Sequence, residues 1–283
     1  MKKIPSDVQW VHLQAVGGDS VSVKNTAYGN EQPKNICEKM ITSVNGIIFD
    51  FDGTLFDNSR IAFYLISANP VATLRTWKER LVRKRFAGRD FQTPEKYFKA
   101  FFKELGKACC QPPEWLRNWY FNHYMPRMIR VLKKHYNARE GLQDLLQRAG
   151  SPGSSLKIAV YSDYPFLKER MEAIGLSVSE NIRLYGPESF GAQKPASRPF
   201  LEIAKNMNLQ PEEILVIGDR EDTDGQGAFN AGMHFFCLET NNKRYNRFDP
   251  YRRKPNEEMQ GPTLLMYAGA WDGLINLLLK RVS

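Results

Sequence analysis

The run Gly46-Ile47-Ile48-Phe49-Asp50-Phe51-Asp52-Gly53-Thr54-Leu55-Phe56-Asp57 constrains the fold more than any other stretch. Its apolar residues, Ile47 to Phe49, read as a buried strand, and Gly53 reads as the turn that leaves it. Two carboxylates two positions apart at a strand's carboxyl end can converge on one ligand, the usual place for a site in an open α/β sheet. The plain alternative is an acidic loop after a strand. The apolar run ahead of Asp50 and the Gly-Thr pair after Asp52 argue against it.

From Glu140 onward the chain alternates helical and strand patterns. A short helix at 141–146 ends at Gly150-Ser151-Pro152-Gly153, and Lys157 to Tyr161 is a strand that stops at Ser162-Asp163. Pro165 to Ile174 is helical, Ile182 to Tyr185 extended, and Gly191-Ala192-Gln193-Lys194-Pro195 a loop. A helix at 200–207, a strand at 214–217 ending in Gly218-Asp219, a helix at 225–231 and a last core strand at 234–238 follow. Strands alternating with helices argue for a Rossmann-like α/β core, a parallel sheet with helices on both faces. Trp271, Leu274, Ile275, Leu277 and Leu278 make a terminal helix expected to dock on that core.

Residues 58–136 interrupt this order with helical periodicity alone. Tyr97, Phe98, Phe101, Phe102 and Leu105 share one face of an amphipathic helix, and such a stripe is more often core than pocket lining. Pro126 should break or kink the helical pattern running to about residue 136. The segment holds 17 Lys/Arg against 5 Asp/Glu, or +12, whereas the remainder has 23 against 26, or −3. The chain's basicity therefore belongs to this one stretch. It could attract an anionic substrate, nucleic acid or a membrane surface, or be a set of solvated helix faces. The expected organisation is an amino-terminal extension at 1–43, a core from 44–57 and 137–283, and a helical basic cap at 58–136 inserted in that core.

In the extension only Val8 to Leu13 suggests a strand, and 241–262 is polar, basic and Pro-containing, a surface loop. Cys37, Cys109, Cys110 and Cys237 form no C-x-x-C pair, so free thiols in a reducing compartment are expected. No apolar run approaches the roughly 18 residues of a membrane span. Pro5-Ser6-Asp7 stands where a secretory signal would be apolar, so the cytoplasm is the expected compartment.

Four sites at strand ends or in adjoining loops now stand in order: Asp50 with Asp52, Ser162, Lys194, and Asp219 with Asp224 in Gly218-Asp219-Arg220-Glu221-Asp222-Thr223-Asp224. This ordered set resembles the haloacid dehalogenase-like hydrolase superfamily over about 46–57 and 140–240. The long insertion after the first motif resembles the helical cap of its phosphoglycolate-phosphatase-like members. One position departs from the pattern: Ser162 is followed by Asp163, where Asn is more usual.

The resemblance implies a Mg²⁺-dependent phosphatase acting on a small phosphorylated metabolite. Asp50 would attack phosphorus and carry an aspartyl-phosphate, and Asp52 would protonate the leaving alkoxide and then activate water. Mg²⁺ would sit on Asp50, the backbone carbonyl of Asp52, and Asp219, with Asp224 and a less favoured Asp222 holding its waters. Ser162 would donate to a phosphoryl oxygen, and Lys194 would offset charge on Asp50 and the transferring group. Arg220 has a plainer expected role, pairing with a neighbouring acid. Within the superfamily, an aspartate two after the nucleophile favours a phosphatase or phosphomutase over a dehalogenase. A phosphomutase on the same scaffold and a nucleic-acid-binding protein using the +12 segment are the alternatives. Nucleic acid is the less expected partner, since no recognised binding motif accompanies the charge.

Overall fold

The computed structural model describes residues 9–13, 41–69, 72–239 and 265–282. Among these residues seven strands form one parallel sheet: β1 Gln9–Leu13, β2 Gly46–Phe49, β3 Lys157–Tyr161, β4 Arg183–Tyr185, β5 Ile214–Gly218, β6 His234–Leu238 and β7 Leu265–Gly269. Their order across the sheet is β1-β7-β6-β5-β2-β3-β4. The strand expected last, β6, is followed by β7, which carries the sheet outward to β1. The surface-loop reading of 241–262 lies outside the described residues.

Side-chain alternation along β2 divides the core. Ile47 and Phe49 face one cluster with Val160, Leu215 and Ile217, covered by helices Leu142–Ala149 and Trp271–Arg281. Ile48 faces the other with Ala159, Val216 and Phe235, covered by Ser197–Met207 and Gln226–Ala231. A strand buried on both faces must be apolar at successive positions, which is why β2 and β5 read as continuous runs. Each fully buried Ile, Leu or Phe contributes about 1.5–3 kcal/mol by leaving water. Trp271, Leu274 and Leu278 seat the terminal helix as its periodicity requires.

Register places the site. Phe49 of β2 lies opposite Val160 of β3 and Ile217 of β5, so the residues after these three strands emerge at one end of the sheet. The Asp50 amide continues the ladder by donating to the Ile217 carbonyl at 2.8 Å.

Between β2 and β3 run helices Ile61–Ala68, Thr73–Phe86, Pro94–Cys109, Pro113–Trp119 and Met125–His135. The aromatic stripe of Pro94–Cys109 is core, with Tyr97, Phe98, Phe101, Phe102 and Leu105 buried. Thr93 caps that helix by accepting the Lys96 amide. At Pro126 the chain stays helical: Tyr120–Tyr124 widens into a π-turn and Pro126 sits in the first turn of the next helix. The helical run is continuous here, with Trp119, Tyr124 and Met125 all in right-handed helical conformation, and the wider turn ahead of Pro126 accommodates a ring that has no amide to donate. No helix among the described residues is long and apolar enough to cross a membrane.

Candidate active site

Asp50 leaves β2 buried, at 8% exposure. Its Oδ2 accepts from the Thr54 hydroxyl at 3.0 Å and its Oδ1 from Lys194 Nζ at 2.5 Å. Lys194, 3% exposed, also donates to Asp224 Oδ1 at 2.7 Å. One ammonium thus ties the end of β2 to the segment after β5.

Ligand oxygens of Asp50, Asp219 and Asp224 lie within 4.8 Å of one another. Burial, the largest influence, pushes the Asp50 carboxyl up to about 7; Lys194 opposes this, and Asp224 and Asp52 add to it. Burial likewise raises Asp219, reinforced by Asp50 and Asp224. Burial works to lower Lys194, but the negative charges of Asp224, Asp50 and Asp163 outweigh it and hold the ammonium charged. Three converging acids and one lysine leave an excess of negative charge. Asp219 Oδ1 is buried without a hydrogen-bond partner. An oxygen-only donor set with an orphaned carboxylate oxygen fits a hard divalent cation such as Mg²⁺.

The turn is shaped around this cluster. Gly53 has φ +95°, and a Cβ there would stand 2.2 Å from Asp219 Oδ2. Only glycine allows both the left-handed backbone and that approach. Arg139 braces the turn from beyond the helical insertion, donating through Nε to Thr54 O at 2.9 Å and through Nη2 to Gly53 O at 3.1 Å.

Asp52 points elsewhere. Its two carboxylate oxygens accept from Arg170 Nη2, and the Ser162 hydroxyl lies 3.3 Å from Oδ2. Arg170 Nη1 donates to Ser162 Oγ at 2.9 Å and to Tyr164 O at 3.3 Å, and the guanidinium lies 4.3 Å from the Phe51 ring centroid. The second carboxylate and the hydroxyl after β3 are therefore held by one fully buried cation.

Asp50, Asp52, Ser162, Lys194, Asp219 and Asp224 are all brought to this end of the sheet. Asp222 is not in the cluster; its exposed carboxylate pairs with Arg220 at 2.7 Å, the plain role expected of that arginine. Asp163, the departure from the family pattern, accepts the Lys194 amide through Oδ1 at 3.0 Å, so it positions the lysine's backbone. Arg170 and Arg139 were not singled out in the sequence. Arg170 had a readable signal: with Leu167, Met171 and Ile174 it shares the buried stripe of its helix, an unusual place for a cation.

A family model described as haloacid dehalogenase-like hydrolase matches residues 47–238, more than half of the chain. The chain belongs to the haloacid dehalogenase-like hydrolases. Among curated relatives, a phosphoglycolate phosphatase of Salmonella choleraesuis (strain SC-B67) is 24% identical over 215 residues, covering 68% of this chain and 80% of the relative. A glyceraldehyde 3-phosphate phosphatase of Methanopyrus kandleri is 44% identical over 46 residues, and this match spans only 20% of that relative's length. The solved 2-haloacid dehalogenase of Pseudomonas syringae pv. Tomato DC3000 superposes with a TM-score of 0.51 at 16% identity, covering 85% of this chain and 100% of that one. That likeness speaks for the fold of this hydrolase, an α/β sheet flanked by helices.

Proposed function

We propose that this hydrolase is a Mg²⁺-dependent phosphatase that cleaves a small phosphorylated metabolite through an aspartyl-phosphate on Asp50. The observation that carries the reading is the division of labour between the two carboxylates after β2. Asp50 is grouped with Asp219, Asp224 and Lys194, whereas Asp52 stands apart with Ser162 and Arg170. The relatives named for phosphoglycolate and glyceraldehyde 3-phosphate support a phosphate monoester as the substrate class.

A carboxylate oxygen of Asp50 attacks phosphorus, forming an acyl-phosphate bond as the bond to the alcohol oxygen breaks. The Asp52 carboxyl gives its proton to the departing alkoxide. Water then attacks the phosphoryl group and Asp52 takes its proton back, releasing inorganic phosphate and restoring Asp50. Lys194 balances charge beside Asp50, and the Ser162 hydroxyl donates to a phosphoryl oxygen. Asp50, Asp219 and the Asp52 backbone carbonyl would hold Mg²⁺, with Asp224 beside them, and the bound cation would supply the positive charge that lets an anionic phosphate approach. The helices of 58–136 serve as a cap over the core of 44–57 and 137–283, excluding water from the first step.

The test is release of inorganic phosphate from a panel of phosphorylated metabolites with Mg²⁺. Wild type should turn over at least one compound, and Asp50→Asn should abolish that turnover while remaining folded. Turnover retained in the folded variant would remove Asp50 from the reaction.

A further inference from the structure

Away from the acidic centre, the strongest charge anomaly lies on helix Met125–His135. Arg127 is 6% exposed. Its Nη2 donates to Thr76 Oγ1 at 3.0 Å, its Nε is buried without a hydrogen-bond partner, and no carboxylate pairs with it among the described residues. A buried cation lacking a counter-charge is unfavourable, and a fold retains one where something else supplies the charge. Burial pushes its pKa down; Tyr124, whose ring centroid lies 5.6 Å from the guanidinium, opposes this, and Arg130 and Arg75 add to the lowering.

Arg127 lines a cavity of about 730 Å³ shared with Arg75, Arg130, Lys134, Trp115 and Trp119. Among the described residues no carboxylate lines it. Arg75 lies 5.1 Å from the Trp115 ring centroid and 5.6 Å from that of Trp119, so cation and aromatic faces share one wall. Four cations around one cavity repel each other, and an anion with several negative charges relieves that repulsion. Guanidinium groups match phosphoryl oxygens through parallel N–H donors. The volume is that of a site for a ligand of nucleotide size.

We propose that this cavity is a second anion site, sharing no residue with the acidic centre, that takes a ligand bearing two or more phosphoryl groups in series. A nucleoside triphosphate and inorganic polyphosphate are its two sources. The inference does not depend on the phosphatase reading, since none of the lining residues takes part in it.

The experiment uses the full chain carrying Asp50→Asn, without added divalent cation, so that the acidic centre neither recruits nor consumes the probe. Tryptophan emission and Tm are followed during titration with ATP, tripolyphosphate and adenosine. ATP and tripolyphosphate should each change the emission saturably and raise Tm, and adenosine should do neither. Tighter binding of ATP than of tripolyphosphate assigns the tryptophan wall to base stacking; equal binding assigns inorganic polyphosphate. Arg130→Ala and Lys134→Ala, both at exposed positions, should each weaken the anions roughly tenfold, the loss of one charge-assisted contact. Arg127→Met should raise the ligand-free Tm and abolish the anion-induced rise, whereas a merely structural arginine would lower Tm when removed. The site is overturned if neither anion binds saturably, if binding is indifferent to Arg130→Ala and Lys134→Ala, or if Arg127→Met lowers the ligand-free Tm and leaves binding intact.

Discussion

Arg170 Nη2 donates to both carboxylate oxygens of Asp52, at 2.5 Å each, while its Nη1 holds Ser162 Oγ. One guanidinium thereby sets the second carboxylate against the hydroxyl that follows β3. Loss of this brace lets Asp52 leave its place without removing the acid itself. Arg170→Leu should lower kcat by roughly 100-fold, the scale of an ångström's misplacement of a reacting group, with KM little changed. Arg170→Lys should recover part of kcat only, because an ammonium cannot span Asp52 and Ser162 as a planar fork does. Steady-state kinetics on variants with native circular dichroism check this. A folded Arg170→Leu enzyme with wild-type kcat would remove Arg170 from the positioning of Asp52.

The two carboxylates after β2 should fail differently when neutralised. In the proposed mechanism Asp50→Asn removes the attacking oxygen, and no phosphorylated protein should be recovered after an acid quench. Asp52→Asn leaves the nucleophile and should slow turnover ~10²–10⁴-fold, the range of general acid–base catalysis. Equal residual rates in the two variants would contradict the separate roles.

Stability of the metal-free protein should decline as pH rises from about 4 to about 7. Asp50 titrates near 7 in the fold against an ordinary value of 3.8, with burial the main cause. Between those values the unfolded chain has released a proton that the folded chain keeps. Stability from this group is therefore fully present below 3.8 and is lost as pH rises through 7. Mg²⁺ favours the ionised carboxylates, so its affinity should increase over the same interval. Differential scanning fluorimetry from pH 4 to 8, with Mg²⁺ or with EDTA, reads both trends. A metal-free Tm that climbs steadily across that interval would refute the assigned burial cost.

Arg83 joins the inserted helices to the loop after β3. It pairs with Glu79 in helix Thr73–Phe86, bonds the hydroxyls of Tyr97 and Tyr120, and donates to the Asp163 carbonyl at 2.6 Å. Glu79 has no exposed surface, so Arg83→Met strands a buried carboxylate and should cost about 3–5 kcal/mol. Glu79→Leu combined with Arg83→Met should cost less than Arg83→Met alone. Chemical denaturation of these two variants, of Glu79→Leu alone and of the wild type closes this cycle, and additive losses would refute the coupling.

The positions of Asp50, Ser162 and Asp219 were legible because each follows an apolar run of β-formers that stops abruptly at a polar residue. Parallel pairing in register then carries all three to one end of the sheet. Lys194 was legible only through its place in the ordered motif set; its contacts with Asp50 and Asp224 span 144 and 30 residues. Arg170 was legible only as a cation on the apolar stripe of its helix, beside Leu167 and Met171, which says that it is buried but not what holds it. Its burial depends on Phe51 and Asp52, far away in the chain. Strand β7, Leu-Met-Tyr-Ala-Gly, lacks β-branched residues and so carries a weak strand signal. The helical path through Pro126 depended on the wider turn ahead of it, which spacing alone does not fix.

The pairing of β1 with β7 has a consequence for how the chain is made. Gln9 lies opposite Leu265, so β1 finds this neighbour only after the strands that carry Asp50, Ser162 and Asp219 have been synthesised. The strands that carry Asp50, Ser162 and Asp219 can associate before then, and β1 closes the sheet as a late zipper. Until it does, β7 presents open amides and carbonyls along one margin, an invitation to another chain's strand. Nascent or amino-terminally clipped molecules would thus keep the end of the sheet that carries Asp50, Ser162 and Asp219 and lose the seal against self-association.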